Sequence, residues 1–425
     1  MVVEGSDLAV ENMLLSAKHK KALTQKGEQL LALVQKIEKA NLLLGYGVPG
    51  ISVPGYGNLT ERGINEHKAL AVRLYQRNQS LFTQKKVINV ATSGENRAID
   101  SSKNFVASLN QQAPNLKINT SQTDRYTLYF HKLSRKNDPA GQDVLKQQIL
   151  QASKAYQKYH KNNIKAEAIL NKMAQSTAAQ KATQAILAPL FTSDFLAKLG
   201  TEGYQYTSEG ERTAISTDGK YISTDKGNGK EKINSAFDAA SMIYDLYIIA
   251  PDMEKELAGE NLNPYMPEKA AAFFEQMKDT DNFYDKGPGF ASQIGITTNP
   301  AKALLIDFFT QAENGLNANS PAAKLRFAHA ETIIPFTTLL EIPASGTALA
   351  DDQPYSYNNS IWRGAKISPM TANVQWDIYN NQANQPIIRM LVNEQESAFK
   401  VACDTARLGK TNYYYLNKLK ACYLP

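Results

Sequence analysis

The chain has 425 residues, and 47 basic against 41 acidic side chains give a formal net charge of +6. Its 43% apolar and 21% charged residues are an ordinary globular composition. No apolar run approaches the roughly 20 residues of a membrane span, and no export signal opens the sequence, so we expect no membrane partner. The charge forms no dense basic stripe, which argues against nucleic acid and is compatible with a small anionic substrate. The length predicts two domains, or one large core that carries an insertion.

The first part of the chain alternates between helical and strand-like segments. Residues 6–44 have helical spacing, and a loop rich in glycine follows at 45–57. After a further helix, residues 86–91 have the length and β-branching of a buried strand, which runs into a turn at 92–97. Such alternation is typical of an α/β domain, in which ligands bind at the carboxyl ends of strands. Arg97 therefore lies where a group that contacts a ligand is expected.

The middle of the chain has a different composition. From residue 135 to residue 200 it is rich in Lys, Gln and Ala at helical spacing, and helices return after residue 235. Between these segments, the sequence Ile-Ser-Thr-Asp at 215–218 recurs at 222–225, which predicts an exposed β-hairpin near 204–226.

The last third returns to strands. Residues 325–328 form a short apolar strand that leads into His329 and Glu331, and 373–379 is predicted to pair with 386–393 as the sheet resumes. We therefore predict an α/β fold with a mixed β-sheet core, helices on both of its faces and a mostly α-helical inserted domain, with boundaries at 1–134 for the first part of the core, 135–300 for the insertion and 301–425 for the second part of the core.

Arg97, His329 and Glu331 each follow the end of a predicted strand, so one sheet would bring the three side chains to the same edge. A guanidinium offers paired donors to a phosphate, and an imidazolium adds positive charge. Glu331 could act as a general acid if its pKa were raised. The alternative is structural: Arg97 caps a helix, His329 is a hydrogen-bonded core histidine, and Glu331 complements the dipole of the helix that it begins.

Cys403 and Cys422 are the only two cysteines. Their spacing fits no metal site, and both lie in one C-terminal stretch, so we favour a disulfide over two buried free thiols. A disulfide implies an oxidising compartment.

Two of these segments carry a family resemblance. Residues 89–102, which include Arg97, resemble the phosphate-binding turn of histidine acid phosphatases. Residues 328–335 resemble the His-Ala-Glu form of the second motif of that family, which is found in its multiple inositol polyphosphate phosphatase branch. Further segments are similar to bacterial members, so that the resemblance spans nearly the whole chain: 59–63, 239–247, 284–290 and 373–377.

The resemblance implies a function and a site. Members hydrolyse phosphomonoesters in two steps, in which a histidine attacks phosphorus and an acid protonates the leaving oxygen. Arg97 matches a phosphate-binding arginine, His329 the phosphate-contacting histidine, and Glu331 the proton donor. The implied substrate is a small phosphorylated molecule, with inositol polyphosphates favoured. The family mechanism needs no metal or other cofactor, and we expect a monomer that is periplasmic or secreted.

The chain departs from the family at the nucleophile, because no Arg-His-Gly-x-Arg motif occurs in it. His19, His67 and His160 lie on predicted helices, where we expect them to be exposed. His131 follows a predicted strand at 126–130, so it could face the site, although we favour a structural role.

Two explanations of the missing motif stay open. In one, residues 3–7 occupy its place with only the glycine kept, which would make an inactive protein with two acids facing the ligand. In the other, which we favour, the motif lay upstream and is missing from this chain. We expect little or no phosphatase activity from these 425 residues. The alternative functions are a catalytically inactive member that binds a phosphorylated ligand through Arg97 and His329, and an unrelated helical scaffold in which these two residues lie far apart.

Overall fold

The computed structural model describes residues 5–121, 123–317 and 319–424. The α-helices of these residues are, in chain order, α1 (Ser6–His19), α2 (Gln25–Leu42), α3 (Glu61–Arg77), α4 (Gln79–Gln84), α5 (Asn96–Gln112), α6 (Arg125–Leu128), α7 (Val144–Lys161), α8 (Ile164–Ala174), α9 (Thr177–Leu187), α10 (Ser193–Lys198), α11 (Ala236–Ile249), α12 (Glu268–Asp285), α13 (Lys302–Asn314), α14 (Ala330–Leu339), α15 (Gly364–Ile367) and α16 (Leu416–Tyr423). The strands are β1 (Val87–Thr92), β2 (Lys117–Thr120), β3 (Tyr206–Ile215), β4 (Ile222–Ile233), β5 (Ala323–Phe327), β6 (Val374–Asn380), β7 (Pro386–Val392), β8 (Gln395–Ser397) and β9 (Tyr413–Tyr415). The predicted α/β class is confirmed.

The chain divides into two compact units. One comprises Met1–Asn65 and Ala168–Lys278, and the other comprises Glu66–Glu167 and Asp279–Pro425. The boundaries at 134 and 300 that we expected from composition stay a prediction. Among the described residues, no helix has the length and apolarity that a membrane span requires.

In the first unit, α1, α2 and α11 surround a continuous apolar core beside the predicted hairpin. The hairpin is confirmed, and β3 pairs with β4 in antiparallel register. Met13, Val34 and Ile243 are fully buried in the core, because the apolar positions of their helices recur at helical spacing.

A buried ion pair lies at the start of α1. Asp7 is fully buried, lies 3.1 Å from Nη1 of Arg212, and accepts a hydrogen bond of 3.0 Å from the Asn41 side chain. Asp7 is one of the two acids that the inactive-protein explanation placed in the site, and it is instead bound inside the fold of this unit. The other, Glu4, lies outside the described residues.

In the second unit, a parallel sheet has the strand order β2-β1-β5. The predicted central strand is confirmed as β1, whose Ile88 and Val90 are buried against Phe105 and Leu109 of α5. Parallel pairing aligns Thr92, the last residue of β1, with Phe327, the last residue of β5. The carboxyl ends of these two strands therefore lie side by side.

The predicted strand at 126–130 is wrong. Helix α6 and a short 3-10 helix at Phe130–Lys132 occupy these positions. The side chain of Asp124 accepts a hydrogen bond from the backbone N–H of Thr127 and so caps α6, while residues 117–120 form the strand that pairs with β1. The cap stabilises a helix at these positions, although the aromatic residues by themselves favour a strand.

The strands near the C-terminus form a sheet of their own. The predicted antiparallel pair is confirmed as β6 and β7, and β8 and β9 also pair with β7. These four strands are separate from the parallel sheet, whereas we expected the same sheet to resume here. The disulfide between Cys403 and Cys422 is confirmed, and it joins a 3-10 helix at Val401–Ala406 to α16. No free cysteine occurs among the described residues, so the alternative of two free thiols is wrong.

Candidate active site

The paired carboxyl ends of β1 and β5 bring two predicted site segments into contact. The backbone N–H of Ser93 donates to the carbonyl of Phe327 over 3.0 Å. Beyond this bond, the Oγ atom of Ser93 lies 2.7 Å from Nε2 of His329, and both side chains are buried. The strand register thus fixes the position of the imidazole.

Arg97 enters the site from the turn after β1. Gly94 has a φ of +90°, and a Cβ atom at this position would lie 2.6 Å from Cγ2 of Thr123, so the turn requires glycine. The turn places Arg97 in the first turn of α5, where its buried Nε atom has no hydrogen-bond partner among the described residues. Its positive charge is near enough to lower the pKa of the His329 imidazole, whereas the scaffold alternative expects the two residues far apart.

His329 is uncharged near neutral pH. Burial, and then the positive charge of Arg97, lower the pKa of its imidazole from the ordinary 6.5 to about 4. The imidazolium that we expected from the sequence is therefore absent from the free protein. A neutral imidazole can still donate one hydrogen bond to a phosphate oxygen.

Glu331 lies in the first turn of α14 with 25% of its side chain exposed. Burial by itself would raise the pKa of its carboxyl, but the charge of Lys286, whose Nζ atom lies 3.9 Å from Oε1, contributes to a net shift below the ordinary value. A raised pKa, which would favour a general acid, is not found in the free protein. Thr332 fixes the turn, because its hydroxyl donates to the buried carbonyl of Leu128 over 2.9 Å.

His131 lies against His329, the less favoured of the two positions that we considered for it. Their ring centroids are 6.2 Å apart, and Tyr129 contacts both rings, at 4.6 Å from His131 and 5.3 Å from His329. Burial lowers the pKa of His131 to about 3, against the opposing charge of Glu331. The signal for this residue was its position shortly after β2, a strand whose carboxyl end lies at the same edge of the sheet.

Comparison with known proteins identifies the fold and its family. The sequence model of the histidine phosphatase superfamily (branch 2) matches residues 16–393. The chain belongs to this superfamily. No curated protein gives a significant match.

Solved structures of one phosphatase are similar to this chain over nearly its whole length. The multiple inositol polyphosphate phosphatase of Bifidobacterium longum in complex with inositol hexasulfate is 30% identical, with a TM-score of 0.82 over 98% of this chain and 88% of that chain. Its complex with phosphate is 29% identical, with a TM-score of 0.84 over 99% and 88%. The phytase from D. castellii, at 14% identity and a TM-score of 0.55 over 93% of this chain and 74% of that chain, shares the fold.

The other three histidines of the chain lie outside the contact between His131 and His329. His19 and His160 are exposed, as predicted. His67 is not: its ring lies 6.3 Å from that of Phe327, and burial lowers its pKa to about 4. Among the described residues, no group of three or more His, Cys, Asp or Glu side chains is arranged to hold a metal ion.

Proposed function

We propose that this protein is a histidine-type phosphatase whose site takes phosphomonoesters, with inositol polyphosphates as the substrate class. In this proposal, Arg97 and His329 bind the phosphate and Glu331 protonates the leaving oxygen. The observation that carries it is the contact between Ser93 and His329 at the paired ends of β1 and β5, with the Arg97 charge beside it.

The charges and donors of the site support an anionic ligand. Arg97 has a buried Nε atom that is unpaired within the described residues, and a phosphate oxygen would satisfy it. His329 is neutral and can donate a hydrogen bond. The choice of inositol polyphosphates rests on the His-Ala-Glu motif and on the B. longum relative, which was solved with inositol hexasulfate and with phosphate.

The chemical step needs an acid and a nucleophile. Attack by a histidine on phosphorus breaks the bond to the ester oxygen, which takes a proton from Glu331, and water then releases phosphate from the phosphohistidine. Since the pKa of Glu331 is lowered in the free protein, the carboxyl has to gain its proton at acidic pH or when the ligand binds. The Arg-His-Gly-x-Arg motif that would supply the nucleophile is absent from the 425 residues.

The second candidate is a catalytically inactive member that binds a phosphorylated ligand through Arg97 and His329. Both candidates share the binding step and differ only in turnover. We therefore expect the 425-residue chain to bind inositol hexakisphosphate without hydrolysing it.

Phosphate release and thermal unfolding test the two steps separately. We expect inositol hexasulfate, which phosphatases do not hydrolyse, to raise the unfolding temperature, and we expect no release of phosphate from inositol hexakisphosphate or p-nitrophenyl phosphate. Turnover at an enzymatic rate that Glu331→Gln abolishes would establish the phosphatase and overturn the expected lack of activity. An unfolding temperature that neither inositol ligand changes would overturn both candidates.

A further inference from the structure

Lys286 lies between two carboxylates next to the proposed proton donor. Its Nζ atom is 3.6 Å from Oδ2 of Asp285 and 3.9 Å from Oε1 of Glu331, and it donates a hydrogen bond of 3.0 Å to the side-chain oxygen of Asn282. Charge-assisted hydrogen bonds are about 2.7–2.9 Å long, so the ammonium makes a close bond to neither carboxylate.

The second carboxylate already has a closer partner. Asp285 Oδ1 lies 2.5 Å from Nδ1 of His160, and this contact raises the pKa of the imidazole. The contact therefore stabilises the positively charged form of His160 beside Asp285. Asp285 alone therefore does not account for the position of Lys286. The positive charge of Lys286 can also act on Glu331 and on a bound ligand.

The backbone around Lys286 is tightly constrained. Helix α12 ends at Asp285, and at Gly287 a Cβ atom would lie 2.9 Å from the carbonyl oxygen of Phe283, so this position requires glycine. The Gly287 carbonyl in turn accepts a buried hydrogen bond of 2.9 Å from the hydroxyl of Thr297. The Lys286 side chain is 19% exposed, so a ligand at the Glu331 carboxyl could reach its ammonium group.

We propose that Lys286 binds a second phosphate of the substrate, next to the one held by Arg97 and His329, and so selects polyphosphorylated ligands over simple phosphomonoesters. This inference rests on the proposed function. If Glu331 protonates the leaving oxygen, then a cation beside Glu331 lies on the side of the inositol ring, where the neighbouring carbon of a polyphosphate carries another anionic group. An isolated phosphate held by Arg97 and His329 would not engage this cation.

Binding of such a ligand should also change the protonation of Glu331. The charged or titratable groups around its carboxyl are Lys286 at the end of α12, His131 in the 3-10 helix, His329 at the start of α14 and Tyr156 on α7. Lys286 helps to keep the pKa of Glu331 low. A polyanion that pairs with Lys286 should therefore raise the pKa of Glu331, so that the protein takes up protons when the ligand binds.

Calorimetric titration with inositol hexasulfate and with inorganic phosphate tests the inference. We expect Lys286→Gln to weaken hexasulfate binding about tenfold while phosphate binding changes less than about twofold, and Lys286→Arg to keep most of the affinity. The matched control is Lys154→Gln, an exposed lysine of α7, which should change neither. Equal losses for the two ligands, or no loss for either, would overturn the proposal.

Arg97→Gln separates this inference from the proposed function. It should weaken the binding of both ligands, and if it weakens neither, the proposed function fails. If it weakens both while Lys286→Gln has no effect, only the role of Lys286 fails.

Proton uptake gives a second readout, because sulfate esters do not titrate near neutral pH. Hexasulfate titrations in buffers of different ionisation enthalpy should show uptake that is smaller in Glu331→Gln. Uptake that is unchanged in this variant would contradict the coupling between Lys286 and Glu331.

Discussion

The Nε2 atom of His329 lies 2.7 Å from the Oγ atom of Ser93, and this contact joins the carboxyl ends of two neighbouring parallel strands. The strands are held in register by backbone hydrogen bonds, so the imidazole is positioned by the sheet and not by a flexible loop. A rigid sheet edge is where a site that must hold a phosphate oxygen at a fixed point is expected.

Removing the Ser93 hydroxyl should cost stability and ligand affinity together. Ser93→Ala leaves a buried imidazole nitrogen without its partner, which we expect to lower the free energy of unfolding by about 1–3 kcal/mol. Urea unfolding measures this. Ser121→Ala is the control, because the Val90 carbonyl that its hydroxyl contacts also accepts a backbone N–H, and its loss should be smaller. Equal effects of the two substitutions would argue against a special role for Ser93.

Stability should fall as the pH decreases from about 6.5 to about 4. His67 and His329 titrate at about 4 when folded and near 6.5 when unfolded, so the unfolded chain binds more protons in this window. In His67→Phe, the free energy of unfolding should depend less steeply on pH between 4 and 6.5.

His160→Gln is a control in which the shift of the histidine pKa has the opposite direction. The pKa of His160 is raised by Asp285, so its contribution is present below 6.5 and is lost as the pH rises through the folded pKa. Removing it should change the stability curve below and around 6.5 and leave the slope that His67 causes. A His67→Phe curve parallel to the wild type would contradict the assignment.

The disulfide should stabilise the C-terminal part of the fold. Cys403 and Cys422 are 19 residues apart, and a closed loop of this length is worth about 3 kcal/mol in chain-entropy reasoning. A reducing agent should lower the midpoint of urea unfolding of the wild type. The double variant with serine at both positions should unfold at the lower midpoint with or without reductant, and a wild type that is insensitive to complete reduction would refute this.

Arg212 should be far more costly to replace than a surface lysine. Arg212→Gln leaves the fully buried Asp7 without its charged partner, which we expect to cost about 3–5 kcal/mol. Lys36→Gln breaks a more exposed pair with Glu260 and a hydrogen bond to the Leu257 carbonyl, and it should cost less, about 1 kcal/mol. Similar losses in urea unfolding would show that the Asp7 pair is not effectively buried.

The sequence predicts the parts of the site that depend on strands. Arg97 and His329 follow strands with clear β-branched or apolar patterns, and parallel strands place their carboxyl ends together. The contact between His131 and His329 was only an alternative and Lys286 was not considered, because a capped helix and a glycine turn position these residues, and their approach depends on tertiary packing. The pKa of Glu331 could not be predicted for the same reason, since it depends on the charge of Lys286, 45 residues away in the sequence.

The most direct test of the site is the affinity of inositol hexasulfate for wild-type protein, Arg97→Gln and Arg135→Gln, measured by calorimetry. Arg135 is exposed in a turn and serves as the control for net charge. We expect saturable binding to the wild type and to Arg135→Gln, with affinity at least about tenfold lower in Arg97→Gln because a charged hydrogen bond to the anion is lost. Equal affinity of the two variants, or no binding to the wild type, would contradict a phosphate site at the ends of β1 and β5.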